Sequence, residues 1–496
     1  MSGAGARKIT STCLAGLALL LLPAPGAGAA CFPHSNEVCA GDWPLARHDL
    51  RASGSVRLRT PGGEVPRGWS HEQLLQVSSY QPGMTVWSSA AVGLVDGRAV
   101  VAAGCYDHRL MLFDAASGRP LWSYITGDGV YATPLLWRDR ATGDSWLFAT
   151  SADGSIYALD ASSGQRRWSR PVFDYRPSLD GCRLSAPALG VVDGRAVLFV
   201  GYWYWDRSLA GNTQQAGLLC LRATDGRPLW HRQFLDNRVH DPLFVHLPGG
   251  AVVLVSSADG NLRALRASDG RLLWSRRETE PYFSQPSAWR DADGVWRIFI
   301  GSAFGKLRAL RAADGRELWS YPAGHWISGA AALLDAGGGT RVVFGTFANQ
   351  LLALDAASGR RLWKHLAAGP VYSSPALVER GGDRQAIYTA LDNRLTGVDA
   401  GDGVLRWSLD IGAPIWDGVP QGESLWASPV AARINGRWML YLGSPAGAFL
   451  AIPLDQAELA STSPPWSNRR FWIIMVLVLA GTTMAATWLS RRQRLR

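Results

Sequence analysis

A nine-residue signature recurs seven times between residues 114 and 407: Asp or Arg, Ala, any residue, Ser or Asp, Gly, three further residues, then Trp. The copies end on Trp122, Trp168, Trp230, Trp274, Trp319, Trp363 and Trp407, at spacings of 46, 62, 44, 45, 44 and 44 residues. A repeat of this length is one supersecondary unit that cannot bury its apolar faces alone, so the chain must stack its repeats against one another.

Within each repeat the pattern is that of short strands. In the seventh, Tyr372 to Val378 is apolar, Gln385 to Leu391 alternates, Asp392-Asn393 turns the chain, and Arg394 to Asp399 alternates again. Gly401-Asp402-Gly403 then leads into Val404 to Leu409, which carries Trp407. Turns rich in Gly, Asp and Asn supply the positive φ angles of tight hairpins, so the unit is a four-stranded antiparallel meander. Such sheets at this period stack radially, which makes the fold class all-β, an eight-bladed β-propeller of four-stranded antiparallel blades. Eight innermost strands are expected to start near Trp87, Tyr131, Leu184, His240, Phe283, Ile327, Tyr372 and Trp426. The eighth repeat ends after a third strand near Phe449 to Leu454. Trp69-Ser70, which repeats the Trp-Ser pair at 122, 168, 274, 319 and 407, is expected to supply its missing outer strand and close the ring.

The signature has a physical rationale. Gly118 and its equivalents sit in the turn before the outer strand, where a residue without Cβ adopts a left-handed conformation at no cost. The Trp four residues later is large enough to reach the neighbouring blade, and such an indole buries roughly 150 to 250 Å². The seven Trp are therefore structural.

Tyr157 to Gly164 (YALDASSG) with Trp168, and Leu352 to Gly359 (LALDAASG) with Trp363, resemble the repeats of the quinoprotein (PQQ-like) β-propeller family, as does the opening Asp42 to Asp49 (DWPLARHD). The resemblance covers residues 42 to about 455. It implies the propeller fold and leaves function open, since the family includes dehydrogenases, an outer-membrane assembly lipoprotein and extracellular sensor domains. Its quinone-using members need a calcium ion, a carboxylate base, a stacking floor and, in the alcohol dehydrogenases, a disulfide between adjacent cysteines. The chain has no Cys-Cys pair, no recognisable calcium cluster of Glu, Asn and Asp, and no Cys-x-x-Cys-His for haem. PQQ with calcium is thus a cofactor that the resemblance suggests and the motifs do not support.

The two ends are of a different kind. Arg7 and Lys8, the apolar run Leu14 to Leu22 and Ala27-Gly28-Ala29 form a signal peptide over residues 1–29. A lipid-modified Cys31 is the competing reading. A lead-in follows at 30–66, the propeller at 67–455 and a linker at 456–470 containing Ser463-Pro464-Pro465. Phe471 to Leu489 holds nineteen residues without a charge, which at ~1.5 Å per residue spans roughly 28 Å and matches a bilayer core. Two arginines precede it and four lie in the tail 490–496, so the positive-inside rule puts that tail in the cytoplasm and the propeller outside it. The expected location is the inner (cytoplasmic) membrane, crossed once, with the propeller on the periplasmic or extracellular side.

These ends also carry most of the charge. Arg7, Lys8 and the six arginines around the apolar stretch account for eight of the net +10, leaving +2 for the rest. A nearly neutral propeller gives no support to a nucleic-acid partner. After signal cleavage five cysteines remain. Cys31 and Cys39 are the expected disulfide in an oxidising compartment. A bridge between Cys105 and Cys182 is a second option, and Cys220 reads as a small buried residue.

Ligand sites in propellers lie at the channel mouth, where the outer strand of one blade crosses to the inner strand of the next. Candidate mouth residues are Trp87, Tyr131, Tyr282, Phe283, Trp326, Tyr372, Trp416 and Trp426, a ring able to stack on a sugar, a flat cofactor or a peptide or simply to plug the channel. His240-Asp241 is the pair on this face most like an acid and base. The 62-residue spacing at blade 3 comes from a longer approach, 173–183, and a longer hairpin containing Tyr202 to Arg207 (YWYWDR); a similar lengthening precedes blade 8. No nucleophile elbow, P-loop or zinc spacing appears. The expectation is a membrane-anchored binding or assembly scaffold for a protein partner or small ligand, without catalysis. The alternative is a quinoprotein-type dehydrogenase passing electrons to the membrane.

Overall fold

The computed structural model describes residues 55–58, 69–71, 88–172, 179–206, 213–235, 238–282, 284–291, 293–336, 338–411, 415–416, 419–420, 427–443, 449–455 and 457. Eight separate antiparallel sheets follow one another in chain order, each built on four propeller strands. The innermost strands are Ala91–Val95, Leu135–Arg138, Ala188–Val192, Leu243–Leu247, Ser287–Arg290, Ala332–Asp335, Ala376–Arg380 and Val430–Ile434. The eight-bladed ring expected from the repeats is therefore present.

These strands start a few residues later than the pattern suggested. In six blades Pro134, Pro187, Pro242, Pro286, Pro375 or Pro429 stands immediately before the first ladder residue. Proline has no N–H to give a ladder. Of the residues taken as strand starts, Tyr131, His240, Ile327 and Tyr372 consequently lie in the crossings between blades.

The tryptophans clip each blade to the next. Trp122, Trp168, Trp230, Trp274, Trp319 and Trp363 donate their indole N–H, over 2.9 to 3.1 Å, to the carbonyls of Ala161, Ala223, Ala267, Ala312, Ala356 and Ala400. Each acceptor is the Ala of the following blade's signature. The same indole lies on that blade's signature glycine: a Cβ on Gly315 would stand 2.7 Å from the Trp274 ring, and Gly315 has φ +72°. Conformation and contact both demand glycine there. A register shift between third and outer strand recurs in all seven signature-bearing blades, a bulge that turns the indole toward its neighbour.

The joints at blade 8 use other chemistry, because it carries no signature. Trp407 instead donates to Gln385 Oε1 in its own blade at 2.8 Å. Between blades 8 and 1 the buried Tyr441 hydroxyl donates to the Ala115 carbonyl at 2.7 Å, and Phe113 stacks on Phe449 at 5.8 Å. The ring closes as the Trp-Ser repeat implied: Trp69–His71 pairs antiparallel with Phe449–Pro453, Trp69 opposite Ala451. One further strand was not foreseen. Ser55–Leu58 pairs in parallel with Val430–Ile434 on the channel side of blade 8.

Around the axis, hydroxyls hold the crossings. The Oγ of Ser88, Ser284 and Ser373 accepts the N–H of Gly104, Gly301 and Thr389 at the end of the second strand, and that of Ser185 accepts the N–H of Gly201 within the longer second strand of blade 3. The next residue reaches the neighbouring blade: Ala330 N–H donates to Ser374 Oγ, Ser374 N–H to Ser428 Oγ and Ser428 N–H to Ser89 Oγ.

Cys105 and Cys220 are free, buried thiols. The Cys105–Cys182 bridge is thus not formed, and Cys220, opposite Phe199 and Trp230 in the blade 3 ladder, is the small core residue expected. The pair Cys31 and Cys39, the signal peptide, the linker and the apolar stretch 471–489 lie outside the described residues, among which no helix is long and apolar enough to cross a membrane.

Trp274→Phe leaves the Ala312 carbonyl without its donor and should cost about 1–3 kcal/mol. Gly315→Ala adds backbone strain and overlap with the ring, about 1–3 kcal/mol from overpacking alone. Gly143→Ala, also at positive φ (+80°) but with open space around its Cβ, should lose only the conformational part, about 1–2 kcal/mol. Urea midpoints of the three variants check this order.

Candidate functional site

The mouth face is formed by the crossings and by the turns between second and third strands. Backbone bonds tie the two together: Ala152, Ala258, Ala303, Phe347 and Leu391 donate to the carbonyls of Gly129, Arg238, Pro281, Trp326 and Pro370. These bonds fix the register of the crossings. The residue after each acceptor, Val130, Val239, Tyr282, Ile327 or Val371, is buried. A glycine makes room for four of them: a Cβ on Gly104, Gly201, Gly301 or Gly345 would overlap Val130, Val239, Ile327 or Val371. The position after that is Tyr131, His240, Ser328 or Tyr372 among the described residues, on the mouth side of the crossing.

This register corrects part of the expected ring. Tyr282 belongs to the core: it is fully buried, and burial together with Glu278 raises its hydroxyl pKa well above the usual tyrosine range. The charged groups that act on it belong to the seam of blades 4 and 5, where Arg308 bonds Glu278 at 3.0 Å and Arg276 bonds Glu317 at 2.7 Å. Tyr131, Trp326 and Tyr372 are half-buried at the mouth. Trp87, Phe283 and Trp426 lie outside the described residues; Trp416 is placed only as backbone, in a two-residue strand paired with Val419–Pro420.

His240 and Asp241 are spent on structure. Asp241 is buried, accepts the Ala186 N–H at 2.8 Å and receives the Gln285 side-chain amide, so one carboxylate joins blades 3, 4 and 5. It takes the inter-blade position that Ser374 and Ser428 hold elsewhere. His240 Nε2 is 2.9 Å from the Tyr282 carbonyl, a contact that requires the ring N–H there. Burial, reinforced by Arg238, lowers its pKa to about 4, so the imidazole is neutral at pH 7. His108, by contrast, is half-buried and lies 3.6 Å from Asp128; His325 is exposed and stacks on Phe347.

Blade 3 rises above its neighbours on this face. Its second and third strands, Arg195–Asp206 and Thr213–Arg222, extend well past the inner strand Ala188–Val192, and Leu179–Leu184 pairs with the protruding part. Because Leu179–Leu184 precedes the inner strand in the chain, the protrusion stands on the mouth side. Trp203 and the more exposed Trp205 lie on one face of this wall.

The wall and the crossings bring together residues that the repeat pattern did not single out. The Arg183 guanidinium lies 4.5 Å above the Tyr131 ring, and Tyr131 packs edge-on against Tyr106 at 5.3 Å. The Arg238 guanidinium lies 4.9 Å above the Trp203 ring. Burial and then the nearby Arg183 lower the pKa of Arg238 to about 10, while Tyr372, from the far side of the mouth, acts in the opposite sense. Two cations therefore share the mouth, each seated on an aromatic face. Across from them Phe347 meets Trp326 at 5.3 Å and Tyr372 at 5.6 Å, both edge-on. Comparing the repeats in register would have found Arg238, which stands where other blades have Gly129, Pro281, Trp326 and Pro370.

This arrangement is suited to binding: it sets guanidinium groups and aromatic faces at the mouth, with the His-Asp pair committed to the scaffold. Among the described residues no three His, Cys, Asp or Glu side chains converge to hold a metal ion.

A histidine held neutral in the fold but free to protonate when unfolded weakens the fold as pH falls from about 6.5 toward 4, because the unfolded chain then binds the extra proton. His231 and His365, also lowered by burial, act in the same direction. The stability of the wild type should decline over that window, and His240→Asn should reduce the decline; urea midpoints at pH 7 and pH 5 measure both.

Comparison with known proteins agrees with this architecture. Among curated proteins none matches the sequence. Similar solved structures include Sqt1 of Saccharomyces cerevisiae, at 12% identity and TM-score 0.54, covering 75% of this chain and 96% of that one. A europium-containing methanol dehydrogenase, at 12% identity and TM-score 0.58, covers 81% and 89%. The quinohemoprotein alcohol dehydrogenase of Comamonas testosteroni, at 13% identity and TM-score 0.58, covers 84% and 81%. At such identities these likenesses speak for the fold alone. The model of the family described as outer membrane protein assembly factor BamB matches residues 67–202, 194–322 and 292–482. With that match running through the whole ring of PQQ-like repeats, the chain belongs to this family of β-propellers.

Proposed function

We propose that the protein is an extracytoplasmic propeller, anchored by its C-terminal apolar stretch, that acts as a binding or assembly scaffold for a protein partner. The observation that carries this reading is the raised wall of blade 3. A repeat scaffold grows where it is used, and growth on one face marks that face as the contact surface. Membership of a family described as an assembly factor supports a scaffolding role. The leader and the nineteen-residue uncharged stretch support the location.

Residues that resemble a reaction centre in the sequence serve the ring instead, and this favours the scaffold over the dehydrogenase reading. The latter rests on the likeness of fold to quinone-dependent enzymes. A cofactor absorbance appearing when PQQ and calcium are added to the purified protein would favour it.

A photo-reactive amino acid in place of Trp205, at 39% exposure on the wall, should give protein adducts in intact membranes. The same group in place of Val404, exposed on the opposite face, should give none. Adducts from position 404 alone, or from neither position, would contradict the assignment of the mouth face. A protease-cleavable tag after Arg496 should be cut only when the cytoplasmic side is opened; cutting from outside would contradict the orientation.

A further inference from the structure

The face opposite the mouth has features that the mouth does not explain, and the inference from them rests on the membrane anchor proposed above. The described chain ends on this face. In blade 8 the third strand, Phe449–Pro453, runs from the mouth to the opposite side. Just beyond it Asp455 accepts from Arg437, the first residue of the second strand, at 2.9 Å. Only residues 458–470 separate the last described residue from the uncharged stretch 471–489. Fully extended they reach roughly 45 Å, and their starting point puts the bilayer nearest this face.

Across the ring from blade 8 stands blade 4, and there the signature turns of blades 3, 4 and 5 repeat one pattern. An arginine follows the glycine and a leucine comes two residues later: Arg227 and Leu229, Arg271 and Leu273, Arg316 and Leu318. All six are exposed, the leucines at 38% to 48%, and Leu272 adds 52%. Single exposed leucines are ordinary, but four in three neighbouring turns form a row of the kind that marks a contact. The charge in this row is of one sign. The turn acids are already held, Asp225 by Arg222 at 3.2 Å, Asp269 by Arg266 at 2.5 Å and Asp314 by Arg311, and Glu317 is bonded to Arg276 at 2.7 Å. Arg227, Arg271 and Arg316 form no ion pair among the described residues and leave one positive charge over in each turn. Nearer the axis the inner turns carry as many acids as arginines: Asp193 and Arg195 in blade 3, and Asp291, Asp293, Arg290 and Arg297 in blade 5.

Cations interleaved with apolar side chains suit the interface of a bilayer with anionic headgroups, where the guanidinium meets phosphate and the leucine meets the acyl boundary. A row spread over three blades calls for a broad, flat partner, and the anchor sets a bilayer beside it. The exit at blade 8 and the row centred on blade 4 support the same face at opposite sides of the ring, so together they lay it flat. We propose that this face docks on the anionic phospholipid surface of the membrane that holds the chain, with the mouth turned away from the bilayer toward its partner.

The test puts a fluorescent amino acid in place of Leu272, or of Phe304 as control, in the full-length protein reconstituted into vesicles with nitroxide-bearing headgroups. Phe304 is exposed at 67% in the turn between Trp296–Gly301 and Lys306–Arg311, on the mouth face. Position 272 should be quenched more in vesicles of phosphatidylcholine with phosphatidylglycerol than in phosphatidylcholine alone, and less as salt rises. Position 304 should stay bright in both. Arg227→Gln, Arg271→Gln and Arg316→Gln should each lower the ratio of docked to undocked protein about fivefold, and the three together should bring it to the level in neutral lipid. If the triple variant does not fold, the salt titration of the wild type makes the same decision. Quenching at 272 that ignores lipid charge and salt, or quenching at 304 while 272 stays bright, would overturn the proposal. Copies joined to each other through a photo-reactive group at position 272 would overturn it in favour of self-association. Protein that stays on the vesicles through a salt wash while 272 ignores lipid charge sinks this inference and leaves the anchor standing. Protein that docks on phosphatidylglycerol at low salt and is removed by the salt wash strikes the anchor alone.

Discussion

One contact organises this molecule: the indole of a blade's outer strand donating to a carbonyl of the next blade while its face covers that blade's signature glycine. Each blade alone is a four-stranded sheet with two apolar faces and two edges, a form that does not persist unaided. The indole joint solves both problems at once. It buries a large apolar surface between blades, satisfies a backbone carbonyl, and locks the relative angle of the sheets through a hydrogen bond of fixed length. The glycine is part of the same device, because any side chain there would hold the indole away.

Repetition of the joint explains why the last blade looks so different. Blade 8 has no signature to receive Trp407, and that indole turns to Gln385 in its own blade. The gap between blades 8 and 1 is closed by other means of similar kind: a tyrosine hydroxyl on the Ala115 carbonyl, stacked phenylalanines, and an N-terminal strand completing the sheet. Nearer the axis, serine hydroxyls repeat the same logic, and Asp241 replaces them where three blades meet. With the ring held at rim and axis, the mouth loops are free to vary. Blade 3 has used that freedom to build a wall, and Arg183 and Arg238 sit on either side of it.

Much of the scaffold was legible because periodicity is a property of sequence. The blade number, the inter-blade role of six of the seven signature tryptophans and the closing strand at Trp69-Ser70 all follow from where similar residues recur. The mouth was less legible because it depends on register. Nothing in the local sequence marks Tyr282 as buried; the backbone bond from Ala303 to the Pro281 carbonyl sets the register in which its ring enters the core. His240-Asp241 looked like chemistry because those residue types often are; the fold uses one to bond a carbonyl and the other to join blades. Arg183 and Arg238 lie far apart in sequence, and the fold sets them on either side of blade 3, each on an aromatic ring, a placement no local pattern encodes. The strand Ser55–Leu58 was hidden for a similar reason, since its partner lies some 376 residues on.

The molecule is a single ring in which the strand Trp69–His71 completes the last sheet. Ser70 stands opposite Leu450 in that pairing, at a separation that a cross-strand disulfide spans. Mild oxidation of the folded Ser70→Cys, Leu450→Cys variant, followed by proteolysis and mass spectrometry, reads the closure directly. The account predicts that positions 70 and 450 are recovered as one cross-linked peptide pair, formed without loss of the fold. Thiols at 70 and 450 that stay free under conditions that leave the protein folded would contradict it.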